Sequence, residues 1–275
     1  MNLKKMKYWG HNGKNLINNT PDQYTNKFDW ICCQDKIIMK KSIPKSIYIK
    51  TDYINKWAAD IVKHKGYVLV VAGSDSSAQH NTMFPSLVRN SRKTFIENKI
   101  HTQNNVLALT VGLATHNQED ENLIEDVIRR TKDLPKLNKI FCCWRARSGQ
   151  RESALDWVVN NELTCTWVYI EMDRDDFLTH VGGHRFTLCP VGGGYDPAPR
   201  CWEALMLGSV PIMLKKVNTK ELYSHLPVLF VDKWEDINQE LLNTTGDALF
   251  KKLERYGVKN IISIDYQISR IMRQS

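Results

Sequence analysis

Apolar residues run unbroken through KGYVLVVAGSDSS (65–77) and end in a small polar loop, the pattern of a buried parallel strand with Asp75 at its ligand-facing end. Just before it, DYINKWAADIVKHKG (52–66) repeats apolar residues at helical spacing, Ile54, Trp57, Ala58, Ile61 and Val62, and closes on Gly66. SLVRNSRKTFIENKI (86–100) predicts a further helix and NNVLALTVGL (104–113) a strand. The charged, proline-punctuated stretch RRTKDLPKLNK (129–139) places a boundary near Leu134, giving domains 1–134 and 135–258, with 259–275 as a C-terminal helix crossing back to the first domain.

Beyond that boundary the pattern alternates. Strands are predicted at KIFCCW (139–144), TCTWVYIEM (164–172), RFTLCPV (185–191), SVPIML (209–214) and PVLFV (227–231). Helices fall between and after them, at ESALDWVVNN (152–161), DDFLTHV (175–181), PRCWEALML (199–207), TKELYSHL (219–226) and WEDINQELL (234–242). Strands alternating with helices through short connections define an α/β fold with a parallel sheet covered on both faces, whose ligands bind beyond the carboxyl ends of the strands.

Composition narrows the partners. The 275 residues carry 42% hydrophobic and 25% charged side chains, ordinary values for a globular chain, and a formal net charge of +8, which suits an anionic ligand. No run of apolar residues has the length of a signal peptide or membrane span, so a cytoplasmic location is expected. Seven cysteines, none in C-x-x-C spacing, are read as reduced thiols without a zinc site, and no metal ligands or cofactor are assigned.

The stretch VGGGYDPAPRCWEALML (191–207) stands at one of the strand ends. Gly192, Gly193 and Gly194 are read as letting a ligand approach the backbone, and a helix starting near Pro199 without a side-chain cap is read as offering free N–H groups to an anion. Arg200 in the first turn opposes the helix dipole unless an anion lies beside it. Glu203, three residues on, shares its side of the helix, and the pair is assigned phosphate and ribose hydroxyls; an ordinary surface Arg–Glu pair is the alternative. RARSGQRES (145–153) repeats the logic, with Arg151 at a helix start and Arg145 and Arg147 in the loop.

Residues 180–243 resemble the exostosin family of glycosyltransferases. Cys189, Pro190 and Gly192 match its C-P-x-G strand end, Arg200, Trp202, Glu203, Ala204 and Leu205 its R-x-W-E-A-L helix, and Gly208, Val210 and Pro211 its next strand. The resemblance implies a GT-B-like fold, two Rossmann-like domains with parallel sheets facing a cleft, the first binding the acceptor and the second the nucleotide-sugar donor. It implies inverting, metal-independent transfer from a UDP-sugar of xylose, glucuronate or galactose type to a hydroxyl of a glycan acceptor. Arg200 and Arg151 would stabilise the diphosphate leaving group, and Tyr195 and Asp196, in the loop ahead of the helix, are placed in the donor site, Asp196 either on sugar hydroxyls or as a turn former. The base is sought in the first domain: Asp75, with His80 and Glu97 behind it.

Three competing readings remain. Asp173-Arg174-Asp175 has the D-x-D form by which GT-A enzymes hold a divalent ion, although Asp173 also suits a helix N-cap with Asp175 and Asp176 in the first turn. The net charge admits a non-enzymatic nucleic-acid-binding protein, but the distinctive arginines sit at strand-to-helix turns, so no specific nucleic acid is expected. A dehydrogenase is disfavoured by the absence of G-x-G-x-x-G with a following acidic residue.

Overall fold

A computed structural model describes residues 10–11, 27–34, 36–114, 118–145, 149–168 and 172–273. Arg147 lies outside the described residues, as do Tyr169, Ile170 and Glu171 of the expected strand 164–172. The chain divides into two units: residues 1–116, 194–196 and 261–275 form one, and residues 117–193 and 197–260 the other. The first division falls at 116/117 instead of near Leu134, because the helix Gln118–Thr131 packs within the second unit. Among the described residues, no helix is long and apolar enough to cross a membrane.

In chain order the first unit contains β1 (Gly10–His11), β2 (Trp30–Cys32), β3 (Ile37–Met39), β4 (Ser46–Lys50), α1 (Ile54–Ile61), β5 (Tyr67–Ala72), α2 (Phe84–Asn90), β6 (Ser91–Ile96), β7 (Val106–Ala108) and β8 (Leu113–Ala114). Its six-stranded sheet has the order β3-β2-β4-β5-β6-β7; only the β2–β3 pair is antiparallel, while β1 and β8 form a separate parallel pair. All six residues of β5 are buried, as a central strand covered on both faces requires. Ile47, Ile49, Leu69 and Val71 share a core with Ile54, Ala58 and Ile61 of α1 and with Phe84 and Leu87 of α2.

The expected helix over 86–100 ends early. The chain leaves the helix after Asn90, the Ser91 hydroxyl donates to the Val88 carbonyl, and β6 inserts between β5 and β7 with Thr94, Phe95 and Ile96 fully buried. β-Branched and aromatic residues at the centre of a sheet outweigh the apparent helical spacing.

The second unit contains α3 (Gln118–Thr131), β9 (Leu137–Cys143), α4 (Gly149–Val159), β10 (Cys165–Val168), α5 (Arg174–Gly182), β11 (His184–Leu188), α6 (Arg200–Met206), β12 (Val210–Leu214), α7 (Val217–Tyr223) and β13 (Leu229–Val231). The expected helix 234–242 is broken into the 3-10 turn Trp234–Asp236 and the short α8 (Gln239–Leu241), which a π-turn joins to α9 (Asp247–Leu253). The terminal segment forms α10 (Val258–Ile262) and α11 (Ile264–Met272), and residues from Ile261 onward belong to the first unit. There Arg270 donates to the Ala108 carbonyl and lies 5.7 Å from the Phe95 ring.

The sheet of this unit is wholly parallel, in the order β10-β9-β11-β12-β13. Relative to chain order this is 2-1-3-4-5, a doubly wound arrangement whose direction reverses between β9 and β11. Connections leaving those two strands run to opposite sides, which opens a crevice at their carboxyl ends.

Candidate anion-binding site

β9 ends at Cys143 and β11 at Leu188, so the crevice is bounded by the residues that follow them. A cavity of about 320 Å³ lies there, with the guanidinium-bearing residues Arg151, Arg174 and Arg200 and the carboxylate residues Asp173 and Glu203 in its wall. Three cations against two carboxylates leave it net positive. A larger cavity of about 640 Å³ is walled in part by Lys136 and Gly208, which precede β9 and β12. It therefore lies at the amino ends of the strands, the wrong edge for a ligand of a doubly wound sheet.

Each arginine is placed by a different strand-to-helix junction. Arg151 is the third residue of α4, where its Nη1 donates to the Arg145 carbonyl at 3.2 Å. Arg174 opens α5, capped by Asp173, whose Oδ1 accepts from the Asp176 amide at 2.8 Å. Arg200 opens α6 after a cis Ala198–Pro199 bond.

No side chain caps the start of α6, as expected. Pro197 and Pro199 carry no N–H, while the Cys201 and Glu203 amides donate to the carbonyls of Pro197 and Pro199. Guanidinium groups add to the positive character of this end. The guanidinium carbon of Arg200 lies 5.9 Å from the Trp144 ring centre and 5.8 Å from that of Phe177, and its buried Nε has no hydrogen-bond partner among the described residues.

Glu203 pairs with a different arginine from the one expected. Its side chain is 2% exposed and accepts from Arg174 Nη2 at 2.6 Å. Burial works against the Arg174 charge, but the charge and hydrogen bond of Glu203 outweigh it and hold the guanidinium above its ordinary pKa. The thiol of Cys189 feels both residues of α6: burial pushes it up to about 12, Arg200 opposes the rise and Glu203 adds to it. Cys143, in the cavity wall, is likewise raised by burial and lowered by Arg200.

The glycines answer to the protein's own side chains. A Cβ on Gly192 would stand 2.7 Å from Arg151 Nη2, and one on Gly194 would stand 2.5 Å from Asn98 Oδ1. Neither residue, nor the exposed Gly193, has a positive φ. Gly192 thus makes room for the Arg151 guanidinium inside the cavity, whereas Gly194 belongs to the first unit.

Tyr195 and Asp196 also belong to the first unit. Asp196 is 4% exposed; its Oδ2 accepts from the Thr110 hydroxyl at 3.0 Å and from the Val111 amide at 2.8 Å. Through these contacts it anchors its loop. Tyr195 is exposed, with its ring 6.4 Å from that of His80. Asp75 is exposed in the bend after β5, and Glu97 is buried, accepting from the Gly73 amide at 2.7 Å. Of the expected residues, Arg151, Gly192, Arg200 and Glu203 therefore share one cavity; Asp75, His80, Gly194, Tyr195 and Asp196 lie in the other unit.

Arg174 lies outside the residues expected from the sequence to line the ligand site. Its one sequence signal is its position in Asp173-Arg174-Asp175, between two carboxylates. Those carboxylates have local partners. Asp173 caps α5, and Asp175 pairs with Arg130 at 2.5 Å and accepts from the Thr179 hydroxyl at 3.1 Å. Among the described residues, no group of three or more His, Cys, Asp or Glu side chains is placed to hold a metal ion.

No family model matches the chain, and no curated protein matches it. A similar solved structure is that of Anabaena Alr3699/HepE in complex with UDP and glucose, with 13% identity and a TM-score of 0.45, covering 84% of this chain and 76% of that one. The exostosin resemblance accordingly rests on the motif residues within 180–243.

Proposed function

We propose that this chain is a glycosyltransferase of GT-B type whose second unit binds the diphosphate of a UDP-sugar of xylose, glucuronate or galactose type. The sugar passes to a hydroxyl of a glycan acceptor with inversion and without a metal ion. The observation that carries this reading is the convergence of Arg151 and Arg200 on one cavity at the reversal point of a doubly wound sheet, with Arg174 paired to Glu203 in the same wall. Guanidinium groups at such a crevice match the charge and fork geometry of a diphosphate. The motif resemblance, which includes Arg200 and Glu203, supports a nucleotide-sugar donor there.

In this reading negative charge grows on the diphosphate as the anomeric carbon–oxygen bond breaks, and Arg200 and Arg151 stabilise it. Glu203 binds Arg174 through Oε1, and its Oε2 is assigned to a ribose hydroxyl. Asp75 is the proposed base: it is exposed at a strand end, whereas the Glu97 carboxylate is buried on the Gly73 amide.

Calorimetric titration with UDP and GDP, followed by UDP-sugars, tests the reading. Arg200→Ala and Arg151→Ala should each weaken UDP binding about 10–100-fold, the range expected when a charge-assisted contact is lost. A parent protein that binds neither nucleotide, or an Arg200→Ala variant that binds as the parent does, defeats the assignment. Transfer abolished by EDTA and restored by Mn²⁺ would establish the metal-dependent alternative.

A further inference from the structure

Two guanidinium groups flank Phe177: that of Arg174 and that of Arg200 each lie 5.8 Å from its ring centre. Only one of the two is neutralised by the buried carboxylate beside them, since Glu203 pairs with Arg174. Glu203 nevertheless sits three residues after Arg200 on α6, within ordinary reach for side chains on one helix face. Both stand in the wall of the same cavity. The pairing that forms is thus a choice between two arginines, and it comes from α5, 29 residues away in sequence.

We propose that Arg174 is a positioning residue that occupies Glu203 and so keeps Arg200 un-neutralised for the anionic ligand. This inference rests on the functional reading above and adds a division of labour within it. Without Arg174, the buried carboxylate would be left uncompensated, a costly state that a cation within reach would relieve. Arg200, three residues away on α6, is such a cation. Its guanidinium would turn to Glu203, and the cavity would lose the charge that receives the diphosphate although Arg200 itself is still present.

The direction of this effect separates it from direct binding by Arg174. If Arg174 held the anion itself, removing Glu203 as well would not repair its loss. If Arg174 acts by occupying Glu203, removing both partners together should restore Arg200 and with it the affinity.

Inorganic pyrophosphate is the appropriate probe, because it has no ribose and does not report the other role of Glu203. Titrations would compare the parent, Arg174→Met, Arg174→Lys and the double variant Arg174→Met/Glu203→Gln, each checked for a cooperative thermal transition. Arg174→Met should weaken pyrophosphate binding about tenfold or more, and the double variant should return to within about threefold of the parent. Arg174→Lys, which keeps a cation opposite Glu203, should bind more tightly than Arg174→Met, and it keeps the test open should the methionine variant fail to fold.

A double variant as weak as Arg174→Met overturns the inference, as does an Arg174→Met or Arg174→Lys variant that contradicts this order. These results leave the functional reading standing as long as the parent binds UDP and pyrophosphate. A parent that binds neither overturns both.

Discussion

The carboxamide of Asn98 occupies the place where residue 194 would otherwise carry a Cβ. Its Oδ1 accepts from the amides of Tyr195 and Asp196 at 2.7 and 3.1 Å, its Nδ2 donates to the Ser74 carbonyl at 2.7 Å, and Asn98 itself takes a left-handed φ of 53°. One side chain thereby ties the loop 194–196 to the segment after β5 within the first unit.

Gly194→Ala should therefore destabilise the first unit. The new methyl group meets a 1%-exposed side chain already committed to three hydrogen bonds, so relief requires breaking at least one. A loss of about 1–3 kcal/mol is expected, the usual cost of overpacking. Urea unfolding would read it, and an unchanged midpoint would contradict the described contact.

Asp173→Ala should remove the N-cap of α5, at a cost of about 1 kcal/mol. Asp173→Asn preserves a capping oxygen and should recover most of that loss. If the carboxylate instead served a divalent ion, asparagine would not rescue it, and adding Mn²⁺ would raise the melting temperature of the parent alone.

Stability should fall as the pH drops below about 6.5, with His184 among the causes. Burial pushes its imidazole below the ordinary value against the opposing hydrogen bond to the His180 carbonyl, and the charges of His180, Lys136 and Lys139 push the same way as burial. The folded chain thus resists a proton that the unfolded chain accepts. The contribution is intact above the unfolded value and shrinks as pH falls toward the lower folded one. Denaturation curves between pH 7.5 and 5 should show a shallower decline for His184→Gln; identical slopes would remove His184 as a cause.

Thiol labelling gives a view of the cavity that does not depend on activity. Cys32 and Cys189 are buried, with burial the first cause of both thiols being pushed up to about 12, and they should resist alkylation. Cys33 and Cys143 are half-buried, and of these only Cys143 is in the cavity wall. UDP should slow alkylation of Cys143 while leaving Cys33 unaffected, as peptide mass mapping over time would show. Equal rates with and without UDP would mean that the nucleotide binds elsewhere.

Much of the α/β architecture was legible because its signals are local. The continuous apolar run of β5 and the strand–helix alternation after Leu137 each declare themselves within a few residues. Ser91–Ile96 has helical spacing in the sequence, and its strand character depends on insertion between β5 and β7. The same distinction governs the site. Arg200 and Arg151 were found from their places at strand-to-helix turns. The Arg174–Glu203 pair and the Asn98–Asp196 contact join residues 29 and 98 positions apart, a spacing with no periodic trace in the sequence.

The division of the chain has a practical consequence for anyone dissecting it. A cut after residue 116 would leave the tripeptide 194–196 and the tail from Ile261 on the fragment to which they do not belong. Asp196 would then be stranded without the Thr110 hydroxyl and the Val111 amide, and Arg270 without the Ala108 carbonyl. Separately expressed halves should consequently be poorer starting material than a co-expressed pair, and a fragment holding the cationic crevice would need residues 194–196 redesigned as a plain linker.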